Sequence, residues 1–165
     1  WRGNAAGVGG FFFFSRFSID LWPAASVRLF VGLHSGATAV VASDTIPAIS
    51  MCGLWHDTTN AATVLNFSTK DGTTATSTGI TLNSALAAGQ VFDFYMYMKP
   101  NDSTIYFRLD DVMVGNTLID SSKTTNLPAN THFMGPSVTM SNGTANTTVT
   151  TVAIGVNRIY VESDH

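Results

Sequence analysis

The chain has 165 residues, 45% of them hydrophobic and only 12% charged, with a formal net charge of −3. This composition argues against a disordered chain and against a helical bundle with a salt-bridged surface. With 8 basic against 11 acidic side chains and no cationic cluster, it also argues against nucleic acid as a partner.

Period-two alternation carries most of the signal along the chain. Residues 11–19 are a dense aromatic run, with Phe11, Phe13, Ser15, Phe17 and Ile19 on one face and Phe12, Phe14, Arg16 and Ser18 on the other. Both faces are apolar at the start, so this strand is expected to be covered on both sides. Residues 27–33 alternate Val27, Leu29, Val31 and Leu33 against Arg28, Phe30 and Gly32, and a shorter strand is expected around 51–55. Residues 63–68 precede Lys70-Asp71-Gly72, where glycine supplies the positive φ of a hairpin turn, and 73–81 would be the return strand. Residues 83–89 predict one helical turn capped by Gly89. Residues 91–98 read as the strongest strand, with Val91, Asp93, Tyr95 and Tyr97 opposite Phe92, Phe94, Met96 and Met98. Pro100-Asn101-Asp102 turns the chain, and 104–109 returns with Ile105, Phe107 and Leu109 inward and Thr104, Tyr106 and Arg108 outward. One or two short strands are expected over 112–122 around Gly115-Asn116, a loop over 127–130, and a strand over 138–141 ended by Asn142-Gly143. Residues 149–162 predict a strand, a bend and another strand.

Eight to eleven strands without a βαβ rhythm predict an all-β fold. The expected architecture is an antiparallel β-sandwich, jelly-roll or concanavalin-like, forming a single domain over residues 1–165. The finer composition agrees. Glu162 is the only glutamate, Gln90 the only glutamine, and Thr is the commonest residue. Helix surfaces use Glu, Gln and Lys, whereas Thr and aromatics suit a pleated, half-buried surface. No run of about eighteen apolar residues predicts a membrane span. The single cysteine, Cys52, excludes an internal disulfide framework and reads as a small core residue. Beginning at Trp1, the chain reads as the C-terminal piece of a longer protein.

Several stretches resemble the C-terminal domains of bacteriophage tail fibres and tailspikes. They are Trp1 to Phe13 with Arg16-Phe17 after it, Arg28-Leu29-Phe30-Val31-Gly32-Leu33, Met140-Ser141-Asn142-Gly143-Thr144, and the final Ile159-Tyr160-Val161-Glu162. The resemblance implies a β-rich, trimeric domain at the distal tip of a virion. Its expected partners are two further copies of itself and a bacterial surface polysaccharide or other host receptor. It carries no catalytic signature.

Chemistry points the same way. The histidines His34, His56, His132 and His165 stand at no metal-ligand spacing from one another or from Cys52, so neither a metal nor a cofactor is expected. Asp57 and Asn60 offer too few oxygens for a calcium site. Asp110-Asp111 is the only acidic pair; neighbours in a strand point to opposite faces, so the pair reads as a strand end opening a turn. Glycoside hydrolysis needs two carboxylates facing across one cleft, and no such pair is legible, so the chain is not expected to be an enzyme.

The aromatics carry the functional reading, because π faces stack on the C–H faces of sugar rings while neighbouring polar groups hold hydroxyls. Trp55, His56, Asp57 and Asn60 form one candidate cluster, and Tyr95, Tyr97, Tyr106 and Arg108 another. The competing reading for any of these aromatics is core packing or a subunit interface. Asp93 on the face of Tyr95 and Tyr97 argues against core burial of that face. Phe11, Phe12, Phe13 and Phe14 are expected to meet a neighbouring subunit, since a lone chain has difficulty hiding both faces of its first strand. The expected function is attachment of a phage to its host through glycan. Alternatives are a structural trimerisation cap, with receptor binding or depolymerase activity upstream, and a lectin unconnected with phage.

Overall fold

The computed structural model describes residues 9–22, 27–36, 40–142 and 151–163. The ten strands are β1 (Phe11–Leu21), β2 (Val27–His34), β3 (Ser50–His56), β4 (Val64–Asp71) and β5 (Ala75–Thr81), then β6 (Val91–Met98), β7 (Ile105–Asp111), β8 (Asn116–Lys123), β9 (Gly135–Asn142) and β10 (Ala153–Ser163). They pair antiparallel in two five-stranded sheets, β10-β1-β6-β7-β8 and β5-β4-β3-β2-β9. The fold is the expected antiparallel β-sandwich of jelly-roll type, and the described residues contain no helix.

Alternation builds the core. Phe13, Phe17, Phe92, Phe94, Phe107 and Leu109 from the first sheet meet Leu29, Val31, Leu54, Leu65 and Phe67 from the second in one continuous apolar cluster. Phe67 stacks on Phe107 across the gap, with ring centres 3.8 Å apart. A smaller cluster lies on the outer side of the second sheet, where Val40 and Val41 cover Phe30, Met51 and Trp55.

The odd-numbered face of β1 is therefore core. Phe11 is 6% and Phe13 0% exposed, which corrects the expectation that these two meet another subunit. On its even face, which no second layer covers among the described residues, the Phe14 ring lies against Tyr95 and Phe12 beside Tyr160, with Phe12 36% exposed.

Polar side chains shape the turns. Asp71 accepts hydrogen bonds from the backbone N–H groups of Thr73 and Thr74, both at 2.8 Å, while Gly72 takes φ of 102°. Asp111 does the same for Met113 and Val114, which makes 112–115 a turn and leaves β8 as a single strand. Residues 83–89 form a loop, not the predicted helical turn. Gln90 takes the place of a helical ladder there, accepting from the Ala87 N–H and donating to Ser84 Oγ and the Ala85 carbonyl. Residues 153–163 form one strand, where a strand, a bend and another strand were expected. Register shifts at Arg16/Phe17 and Ile19/Leu21 keep it paired along the whole of β1. Residues 143–150 lie outside the described residues, as do Trp1 to Val8.

Candidate functional site

The even-numbered residues of β1 and their cross-strand neighbours make the outer face of the first sheet, and the register arranges them in three rows. The first row runs Glu162, Phe12, Tyr97, Tyr106, Ser122, and the second Tyr160, Phe14, Tyr95, Arg108, Asp120. The third runs Arg158, Arg16, Asp93, Asp110, Thr117. Aromatic rings thus form a belt across four adjacent strands, with a charged row beside it.

The belt is tightly interlocked. Tyr97 and Tyr106 stack with centres 4.8 Å apart, and Phe14 lies 4.9 Å from Tyr95. Lys99 stands 5.8 Å over the Tyr106 ring and the Arg158 guanidinium 6.0 Å over Phe14. Tyr97 is 40% and Tyr160 42% exposed, large apolar surfaces for solvent-facing strand positions.

Ion pairs hold the charged row. Arg16 makes a two-pronged contact with Asp93, Nε to Oδ1 at 2.7 Å and Nη2 to Oδ2 at 2.6 Å. Arg108 Nε bonds Asp110 at 2.9 Å, and Thr117 donates to the same carboxylate at 2.7 Å. The hydrogen bond to each aspartate raises the pKa of its arginine. Burial, then the charge of Asp93, raises that of Tyr95, and the hydrogen bond to Glu162 raises that of Tyr160, so both phenols stay protonated and can donate.

A groove of about 430 Å³ opens on this face between Tyr95, Tyr97, Tyr106, Arg108, Asp110 and Asp120. Its floor is aromatic and its rim carries both charges, a lining that suits a polyhydroxylated ring. Two further grooves lie on the same face: one, beside Phe12, Phe14, Tyr95, Arg158 and Tyr160, shares Tyr95 with it, and the other lies beside Phe14, Arg16, Asn157 and Arg158.

Of the residues singled out in the sequence, Tyr95, Tyr97, Tyr106 and Arg108 come together here. The other cluster belongs to the second sheet and is largely closed. Trp55 is 2% exposed, roofed by Val40 and Val41, and its Nε1–H donates to Asp57 at 3.0 Å. His56 is 3% exposed, with Nδ1 2.9 Å from the Val64 carbonyl and its ring edge-on to Trp22. Asp57 also accepts from the Thr59 N–H, and Asn60 Oδ1 accepts from Asn66. Trp55 and His56 therefore have no face to offer a sugar, a correction with two causes: residues 40–49 fold over Trp55, while His56, on the opposite face of β3, packs against Trp22 and the Val64 carbonyl. Phe12 and Phe14, expected at a subunit contact, lie in the aromatic belt.

Sequence reasoning missed Arg16, Asp93, Asp110, Asp120, Arg158 and Tyr160. Alternation placed Arg16 outward, but its partnership with Asp93 spans 77 positions. Arg158 and Tyr160 reach the belt only through the pairing of β10 with β1.

No protein-family model matches the chain, and no curated protein matches it in sequence. Solved structures do share its fold. One is the CBM2 module of the evolved Dit of Lactobacillus casei BL23 phage J-1, at 15% identity and TM-score 0.51, covering 93% of this chain and 61% of that one. Alginate lyase A1-II', of polysaccharide lyase family 7, is 11% identical with TM-score 0.53, covering 99% and 66% respectively. The endo-β-1,4-glucuronan lyase of the fungus Trichoderma reesei is 12% identical with TM-score 0.56, covering 97% and 70%. The chain spans less than two thirds of the phage module's length. At these identities the likeness is one of fold. It nevertheless overturns the expectation that the chain is not an enzyme: that expectation rested on missing carboxylate pairs, and the same sandwich carries polysaccharide lyases.

Proposed function

We propose that this chain is a phage-associated glycan-binding module, and that the outer face of its first sheet is the binding surface. The observation that carries this reading is the belt of Phe12, Phe14, Tyr95, Tyr97, Tyr106 and Tyr160, facing solvent beside the Arg16–Asp93 and Arg108–Asp110 ion pairs. A core does not need such a belt, and a solvated sheet face is ordinarily polar. The fold likeness to a phage carbohydrate-binding module and to two polysaccharide lyases supports the same ligand class. At the tail tip of a virion, as a homotrimer, each copy contributes weak stacking and hydroxyl contacts. Several copies on one particle then multiply them into avidity for the host surface.

Affinity electrophoresis of the module through immobilised bacterial polysaccharides tests the reading, with incubated polysaccharide assayed in parallel for new chain ends. Retardation by at least one polysaccharide is expected, weakened about tenfold by Tyr106→Ala. New chain ends released only by the unsubstituted protein would make this face a cleaving site as well as a binding one. Retention unchanged by Tyr106→Ala would remove the face from the interaction. No retention by any polysaccharide, with trimers in the analytical ultracentrifuge, would favour the structural cap.

A further inference from the structure

The belt does not end evenly. On the β8 side the charges are Arg108 with Asp110 and Asp120, whereas on the β10 side Arg158 stands directly across the ladder from Arg16. Like charges directly opposite each other in an antiparallel pair are destabilising unless something compensates them. Arg16 is compensated by its two bonds to Asp93. Arg158 has no acidic partner among the described residues; its guanidinium is held over the Phe14 ring, at the wall of a groove of about 480 Å³ that also contains Asn157. A ring contact leaves the in-plane N–H donors of a guanidinium directed outward, where a two-oxygen acceptor meets them best.

We infer that Arg158, with Asn157 and the outer edge of Arg16, receives an anionic substituent of the bound glycan, a carboxylate or a phosphate. The inference rests on the glycan-binding reading of the aromatic belt and adds the ligand's charge to it. The groove between Phe12, Phe14, Tyr95 and Tyr160 is bordered by the same Arg158, so sugar rings on the belt and an anion on the arginine belong to one continuous surface. An anion there relieves the Arg16–Arg158 opposition. On the far side, Asp110 and Asp120 favour hydroxyl-bearing, uncharged units, because an acidic sugar beside them would meet like charge. The face thus has a direction: uncharged rings towards β8 and the acidic group towards β10.

Matched polymers test this. Alginate, polygalacturonate and glucuronan are each compared with their carboxyl-reduced, uncharged forms, and a glycerol-phosphate-bearing wall polymer with its dephosphorylated form. The variants are Arg158→Gln, which keeps length and donors without charge, and Tyr106→Ala. The expected result is preference for the acidic member of at least one pair by about tenfold, diminishing as salt is raised. Arg158→Gln should weaken binding of the acidic member about tenfold more than that of the uncharged member, abolishing the preference, and the pair affected distinguishes carboxylate from phosphate. Equal binding of both members in every pair, or a loss of both in equal measure with Arg158→Gln, overturns the anion site while leaving the glycan reading intact. Failure to bind any polymer, or binding indifferent to Tyr106→Ala, overturns the glycan reading at this face and the inference with it.

Discussion

Two side chains show how the sheet surfaces divide their work. Ser15 lies on the core face of β1, opposite Phe94 and Ile159, fully buried, with no hydrogen-bond partner for its Oγ among the described residues. A buried hydroxyl without a partner opposes folding, so Ser15→Ala should raise stability by about 1 kcal/mol. A urea midpoint shifted upward at constant slope would show it; an unchanged or lower midpoint would mean the hydroxyl has a use the packing does not reveal. Trp55 illustrates the opposite case, since the residue most suggestive of sugar stacking is structural. Trp55→Ala should cost about 3–5 kcal/mol through the cavity left under Val40 and Val41. Any folded fraction of that variant should bind polysaccharide as the parent does, and selective loss of binding at full stability would return Trp55 to the site.

The strands make their own demands. Gly32 and Gly53 face each other across the β2–β3 ladder, and a Cβ on Gly32 would stand 2.3 Å from the Cys52 carbonyl oxygen and 2.6 Å from the Gly53 Cα. Both obstacles are backbone, so relief requires the two strands to part. Gly32→Ala should therefore lower stability by about 1–3 kcal/mol, measurable as a reduced thermal midpoint. Because β2 and β3 belong to the second sheet, glycan binding by the folded fraction should persist. The hairpin of β6 and β7 is the element that builds the main groove: it places Tyr97 against Tyr106 and Tyr95 against Arg108 on one face, with Met96 and Phe107 on the other. A one-residue slip in that register would turn the aromatic face into the core.

Across the whole molecule, burial sets the response to acid. His34 and His56 both have lowered pKa values, chiefly because burial disfavours the imidazolium. The unfolded chain then takes up protons near the ordinary histidine value of about 6.5 while the folded chain resists. Stability is complete above that value and declines as pH falls through it towards the folded-state values. A second decline follows at lower pH. Asp44 is held well below its usual range by hydrogen bonds from Arg28, and Asp71 is lowered by the backbone N–H groups of its turn. These groups contribute stability above the ordinary carboxylate value of about 3.9, and it is lost as they protonate. Thermal midpoints measured from pH 8 to 3 should fall in two stages, with His56→Gln diminishing the first. A midpoint level between pH 7 and 5 would contradict the account of the histidines.

Alternation within a strand is a local property, which is why the sandwich class, the hairpin of Tyr97 and Tyr106, and the outward set Tyr95, Tyr106 and Arg108 were all legible before any fold was known. Chain neighbours alone specify those directions, through the two-residue repeat of an extended backbone. Which faces meet is a different matter. Whether the outer side of β3 is open or roofed depends on where residues 40–49 fold, and Trp55 carries no mark of it. Likewise, nothing within 153–163 says that this strand lies beside β1 and sets Arg158 against Arg16, because strand pairing across some 140 positions is decided by packing the whole core at once.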